Sequence, residues 1–431
     1  MSSMFPSLQE IQEIQSRALV KTMAYVAAHS PFYKEQFNRT GINPAAIKKP
    51  EDLQQLPFTT KEDLQLRSHE FLCVEKRLVI DYSSTSGTLG TPVTVGLTEN
   101  DLDRLALNEY GSFLIADGSP DDIYQLHLTL DRQFMAGIAY YSGLRKLGAG
   151  IIRLGPGLPA MQWENISRYQ PTVIVGVPSM LVKLIEYCKQ KNLPLEESSV
   201  RKAICIGESI RRADFSFNTL GKAITDHWPI RLYSTYAATE MQTAFTECRC
   251  GRGGHLQPHL IIAELIGEND LPVADGEPGE VTITTLGVEG MPLLRYKTGD
   301  ICIRHPEPCA CGRNTFRLSP VLGRKKQMIK LRGTTLYPQS FQEILQAMEH
   351  VQEYVLEVNT GSLDTDEVVV HLQLDVESNE VIRHIRTELQ ARLRIIPDVR
   401  IHSADSIRLL QYPDGSRKIQ RFIDHRKPHK G

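Results

Sequence analysis

Between Ile123 and Glu240 short apolar runs alternate with helical stretches, and this alternation limits the possible folds more than any other feature. Val173–Val177 is an apolar, largely β-branched run, as a strand covered on both faces requires. Pro178-Ser179 follows, then Leu181, Leu184, Ile185 and Cys188 at helical spacing. Proline suits a first helical turn, where its missing N–H is not needed. Ala203–Ile206 reads as a second buried strand, ending at Gly207-Glu208-Ser209. The pattern predicts an α/β architecture. Before it, Leu8, Ile11, Ile14, Leu19, Met23 and Val26 carry a helical period. After Leu260 the strands Ile261–Ile266, Glu280–Thr284 and Ile301–Arg304 suggest an antiparallel region, separated by Asp275-Gly276 and Pro278-Gly279. Beyond Gly323 a third regime begins: helical Phe341–Met348, alternating Glu367–Leu374, and Val381, Ile385, Leu389 and Leu393 at steps of four. It predicts a separate α+β unit of about 100 residues.

The chain has 431 residues, enough for about three domains by length alone. Lys plus Arg total 49 against 51 Asp plus Glu, so no strong field favours nucleic acid or an anionic membrane. The apolar stretch Pro171–Ile185 is interrupted by Lys183 and is too short to span a bilayer. Met1–Gln15 has no apolar run before a cleavage site, so a cytoplasmic protein is expected.

Eight cysteines are present. Cys73, Cys188, Cys205 and Cys302 stand alone. Cys248-Arg-Cys250-Gly and Cys309-Ala-Cys311-Gly each put two thiolates on a glycine-ended turn, half of a tetrahedral zinc site. Two such halves make a closed, structural Zn2+ site. His255, five residues after Cys250, is a candidate to replace one thiolate. Four incidental thiols are the alternative.

Tyr82-Ser-Ser-Thr-Ser-Gly-Thr-Leu-Gly-Thr-Pro92 holds Ser, Thr or Gly at eight of eleven positions. Its hydroxyls and accessible backbone N–H groups suit a polyphosphate. It lacks the Gly-Lys-Ser/Thr ending of a Walker loop, and no Gly-x-Gly-x-x-Gly fingerprint appears. Tyr236-Ala-Ala-Thr-Glu240, Arg295-Tyr-Lys-Thr-Gly-Asp300, the stretch from Gly323-Arg324 to Gly333, Leu336-Tyr-Pro-Gln and Lys418-Ile-Gln-Arg-Phe-Ile-Asp424 follow in order.

Together these segments resemble the adenylate-forming (acyl-CoA synthetase) superfamily, and within it the phenylacetate–CoA ligase family. The resemblance implies a large multi-sheet N-terminal domain over 1–323 and a small mobile α+β domain over 327–431. It implies that Ser83, Ser84, Thr85, Ser86, Gly87 and Thr88 hold the β- and γ-phosphates of ATP. Gly207, Glu208 and Ser209, with Ser234, Thr235 and Tyr236, match the adenine segments. Thr239 and Glu240 match the α-phosphate and Mg2+ contacts, a carboxylate being the natural ligand of a hard cation. Asp300 is expected to accept from the ribose hydroxyls, with Arg324 assisting. Lys418 matches the catalytic lysine, whose ammonium stabilises charge on the pentavalent phosphorus. Lys326 matches the hinge. Phe134, Ala139, Tyr140 and Gly143 are expected acid-pocket residues.

The implied reaction has two steps. A carboxylic acid, phenylacetate or an aryl or apolar relative, and ATP give an acyl-adenylate and pyrophosphate. Coenzyme A then gives the thioester and AMP, as in phenylacetate catabolism. The family usually has Gly-Lys-Pro where this chain has Gly90-Thr91-Pro92, which removes a cation from the pyrophosphate side. Two other readings stay open: an amine or carrier-protein thiol as acceptor, or a non-catalytic nucleotide-binding descendant. The partners implied are small molecules, with a homodimer left open.

Overall fold

The computed structural model describes residues 5–85, 92–331, 334–361, 366–393, 395, 397–413 and 419–426. The chain divides into two compact units, Met1–Val321 and Leu322–Gly431.

The first unit opens with helices Leu8–His29 and Pro31–Thr40. Ser7 and Glu10 form a reciprocal capping box at the first. Ser30 ends that helix and caps the next, with Pro31 at its first turn. Leu19, Met23 and Val26 face the core, as their spacing predicts.

The sheet carries the site. Five parallel strands lie in the spatial order Gly150–Arg153, Ile123–Leu126, Val173–Gly176, Lys202–Ile206 and Arg231–Ala238. Val173–Gly176 is buried throughout. Past Arg231–Ala238 the sheet turns antiparallel, through Thr243–Glu247, Gly254–His255, Arg317–Leu318, Tyr296–His305, Pro278–Thr285 and Ile261–Ile266. Arg231–Ala238 is therefore the strand at which pairing changes sense. Ligand crevices of α/β sheets lie beyond the carboxyl ends of such strands.

Two helices over this edge, Glu99–Ile115 and Met135–Leu147, approach each other at Gly143. A Cβ there would sit 2.4 Å from the Glu109 Cβ, so glycine is what lets the helices meet. Gly143, expected in the acid pocket, is a packing position.

The second unit has a four-stranded sheet in the order Asp398–Ile401, Asp366–Leu374, Val351–Thr360 and Phe422–Asp424. Its central pair is antiparallel and both edge strands are parallel to their neighbours. Helices Pro338–Leu345 and Asn379–Leu393 bury Phe341, Ile344, Ile385 and Leu389 against Val358, Val370 and Leu372. Among the described residues no helix is long and apolar enough to cross a membrane.

Candidate active site

The base of the Ser/Thr/Gly loop is a short hairpin. Asp81–Ser84 pairs antiparallel with Thr94–Leu97. Thr85 N donates to Val93 O (2.9 Å), and Val93 N donates to Thr85 Oγ1 (3.0 Å). Ser83 is buried and its hydroxyl donates to Asp81 Oδ1 at 2.9 Å, so this serine serves the hairpin. Ser84 N donates to Gln133 O at 2.9 Å, tying the loop to the segment before helix Met135–Leu147. That segment holds Arg132 and Gln133 both left-handed, at φ 60° and 57°. Backbone of this kind persists only where its surroundings fix it. Ser86, Gly87, Thr88 and Thr91 lie outside the described residues.

Gly207 follows the carboxyl end of strand Lys202–Ile206 at φ 75°, a conformation that favours glycine. Glu208 accepts from Ser179 N (2.9 Å) and Ser179 Oγ (3.0 Å), in the first turn of helix Pro178–Gln190. A carboxylate there complements the helix dipole. Ser209 donates through Oγ to Arg211 O at 2.8 Å. On the next strand, Tyr236 donates its hydroxyl to Asp300 Oδ2 at 2.9 Å. Burial and the Asp300 charge hold that hydroxyl far above the ordinary phenol value, so it stays a donor. The expected adenine and ribose residues are thus in direct contact. Beyond the strand, Glu240 Oε1 accepts from Tyr296 OH at 3.2 Å.

A cavity of about 150 Å³ opens against these residues. Gly207, Thr235 and Thr239 line it on the sheet side, and Phe134, Ala139 and Tyr140 on the helix side. Three of the four expected pocket residues therefore line it. A cavity of about this volume accommodates one benzene ring.

The lining departs from the apolar expectation at Asn108, Glu109 and Gln242. Asn108 Nδ2 donates to Glu109 Oε1 at 2.9 Å. Burial pushes the Glu109 carboxyl up to about 8, with the Asn108 bond acting against it. Arg104, buried on the same helix, donates to the carbonyls of Leu286 (2.8 Å), Gln242 (2.7 Å) and Leu260 (2.6 Å). It thereby fixes the turn that carries Gln242, itself left-handed at φ 50°. Asn108 and Glu109 look in the sequence like ordinary polar helix residues and Gln242 like an ordinary turn residue, so none of them stood out. The signal was positional: Leu105, Asn108, Glu109 and Ser112 share the buried face.

The cysteine knuckles also meet. Sγ of Cys248, Cys309 and Cys311 and a ring nitrogen of His255 all lie within 4.8 Å of one another. Cys248 Sγ stands 3.6 Å from Cys309 Sγ, and Cys311 Sγ 3.6 Å from His255 Nε2. Gly251 (φ 64°) and Gly312 (φ 93°) close the two turns. Cys250 is not part of this group, so the histidine takes the place considered for it. His255 Nδ1 lies 3.0 Å from Thr315 Oγ1, the outer contact that orients an imidazole ligand. Burial drives His255 down to about 3 and keeps it neutral, the form that binds metal. A Cys3His set at these separations fits tetrahedral Zn2+. The lone thiols Cys73, Cys188, Cys205 and Cys302 are all buried.

In the second unit, Arg324 and Lys326 are exposed on strand Gly323–Arg324 and the turn Lys325–Gln327. Arg426 is no solvated tail residue. It donates to Met328 O (2.7 Å), Asp366 Oδ2 (2.9 Å) and Lys326 O (3.4 Å), and pairs with Asp424 at 2.6 Å. The segment following Lys326 is thereby tied to the C-terminal strand. Lys418 lies outside the described residues.

Residues 10–306 match the family model described as AMP-binding enzyme, and residues 333–426 that described as AMP-binding enzyme C-terminal domain. A phenylacetate-coenzyme A ligase of Thermus thermophilus is 28% identical, with 97% of each chain covered. One of Escherichia coli is 29% identical, with 93% of each covered. A 2-hydroxyisobutyryl-CoA ligase crystallised with 2-HIB-AMP in the postadenylation state superposes with TM-score 0.82 at 20% identity, over 97% of this chain and 90% of that one. The fold is that of such ligases, and with both units matched in order the chain belongs to the AMP-binding enzyme family.

Proposed function

We propose that the protein is an AMP-forming acid–coenzyme A ligase acting on a carboxylic acid of single-ring size, phenylacetate or a close relative. The observation that carries this is the shared wall. Gly207, Thr235 and Thr239, assigned to the nucleotide by resemblance, also line the one-ring cavity. An acid seated there presents its carboxylate toward the α-phosphate, and fixing two reactants in this way removes much of the entropic barrier.

In the first step a carboxylate oxygen bonds to the α-phosphorus of ATP and the bond to pyrophosphate breaks. Tyr236 and Asp300 hold the nucleoside, and Glu240 is the carboxylate that would hold Mg2+, which would offset the phosphate charge. Lys418 stabilises the transition-state charge. In the second step the coenzyme A thiol, losing its proton, attacks the acyl carbon and AMP leaves. The Cys3His cluster would hold a structural Zn2+ outside the chemistry. It joins the loop after strand Thr243–Glu247 to the loop after Tyr296–His305.

The test is pyrophosphate and AMP release across aryl, short-chain and medium-chain acids, with and without coenzyme A. Thioester and AMP in equal amounts with a one-ring acid are expected. Acid-dependent pyrophosphate exchange with no thioester would indicate a different acceptor. No release with any acid would overturn the reading.

A further inference from the structure

Glu109 is 4% exposed and Gln242 is 1% exposed, yet both line the acid cavity. Glu109 Oε1 is used by Asn108, while Oε2 has no hydrogen-bond partner among the described residues. The Gln242 amide is likewise unpartnered at both Oε1 and Nε2. Buried polar atoms are nearly always paired, so unpaired ones on a cavity mark where a ligand or water completes the set. An acyl group that fills the cavity excludes water from it. If that group is purely apolar, the carboxyl and amide are left dry and unpaired, and binding suffers.

The geometry points to a hydroxyl-substituted acid as the substrate, its hydroxyl bonded to Glu109 Oε2 in the cavity that the Gln242 amide also lines. This rests on the proposed ligase activity and sharpens its substrate class. A hydroxyl suits this wall in either protonation state. It donates to an ionised Oε2 and accepts from a protonated one, and the glutamine amide offers the complementary group. Glu109 acts here as a specificity residue for the acyl group and takes no part in the transfer to phosphorus or sulfur.

The test is thioester formation from size-matched pairs: phenylacetate against its 2-, 3- and 4-hydroxy forms, and benzoate against the corresponding hydroxybenzoates. The wild-type protein is expected to favour one hydroxylated member by roughly threefold to tenfold in kcat/KM, the usual worth of a hydrogen bond to an uncharged group. Glu109→Leu should abolish or invert that preference mainly through KM. Glu109→Gln, which keeps an acceptor and a donor, should retain part of it. A wild-type preference for the unsubstituted acid in every pair overturns the inference while leaving the ligase reading intact. So does a hydroxyl preference unchanged in Glu109→Leu. If Glu109→Leu does not fold, the wild-type pairs and Glu109→Gln decide. If no acid of either kind yields AMP with coenzyme A, the ligase reading itself fails.

Discussion

Glu109 shows how one side chain couples substrate recognition to stability. Its carboxyl lies up at about 8 because burial disfavours the charge. In the unfolded chain the same group titrates near 4.3. Between those values the folded state holds a proton that the unfolded state releases. Stability from this group is therefore complete below the unfolded value and is lost as pH rises through about 8. Tyr140, on the facing helix, is raised by burial and by the Glu109 charge, well above the ordinary phenol value, so it stays neutral across this range. Glu109→Gln removes the titration while keeping the amide–Asn108 contact. Its melting temperature relative to wild type should rise between pH 5 and about pH 8 and level off above it, by about 2 °C or less for each kcal/mol removed. A constant difference across that range would show that the carboxyl is not held protonated. Nothing in the composition marks this residue. Only the register of helix Glu99–Ile115 against Met135–Leu147 turns a surface-type glutamate inward.

Individual elements were legible wherever local chemistry dictates them. Ile261–Ile266 forms over the residues its β-branched run marks, and Val381, Ile385, Leu389 and Leu393 lie in helix Asn379–Leu393. The two Cys-x-Cys-Gly turns were equally plain, since their glycines take the left-handed backbone that closes a knuckle. Which four ligands converge was not. Spacing favours Cys250 and Cys248 equally, and it takes the pairing of Gly254–His255 with Thr243–Glu247 and Arg317–Leu318 to bring His255 in. One equivalent of zinc is the expected result of metal analysis on purified protein. Cys309→Ser should lower that content by at least half and lower the melting temperature, because a structural metal contributes to folding directly. Cys250→Ser should leave the zinc content unchanged. Equal loss in both variants would contradict the Cys3His assignment, and no zinc in the wild type would dismiss the site.

For the whole molecule, strand–helix alternation was enough to announce an α/β architecture and the change of pattern after Leu260 an antiparallel region, though antiparallel pairing already begins at Thr243–Glu247. The parallel edge strand Phe422–Asp424 was not readable, because a three-residue strand beside a basic stretch has no period of its own. Arg426, two residues past it, ties Lys326 and Met328 to the strand. We propose Lys326, the position to which the resemblance assigns the hinge, as the residue about which the C-terminal unit turns. Motion about Lys326 would change φ and ψ at that residue. Proline fixes φ near −65° and so blocks such a change. Lys326→Pro should therefore leave acid-dependent pyrophosphate exchange nearly intact while slowing thioester formation from a supplied acyl-adenylate. Lys418→Ala should do the reverse. Loss of its ammonium should cut adenylation by about 100-fold or more, the scale of one removed transition-state charge contact. Thioester formation from the supplied adenylate should continue. Both half-reactions are read on the same preparations, with melting temperatures confirming folded protein. Equal loss of both steps in either variant would sink the role assigned to that residue.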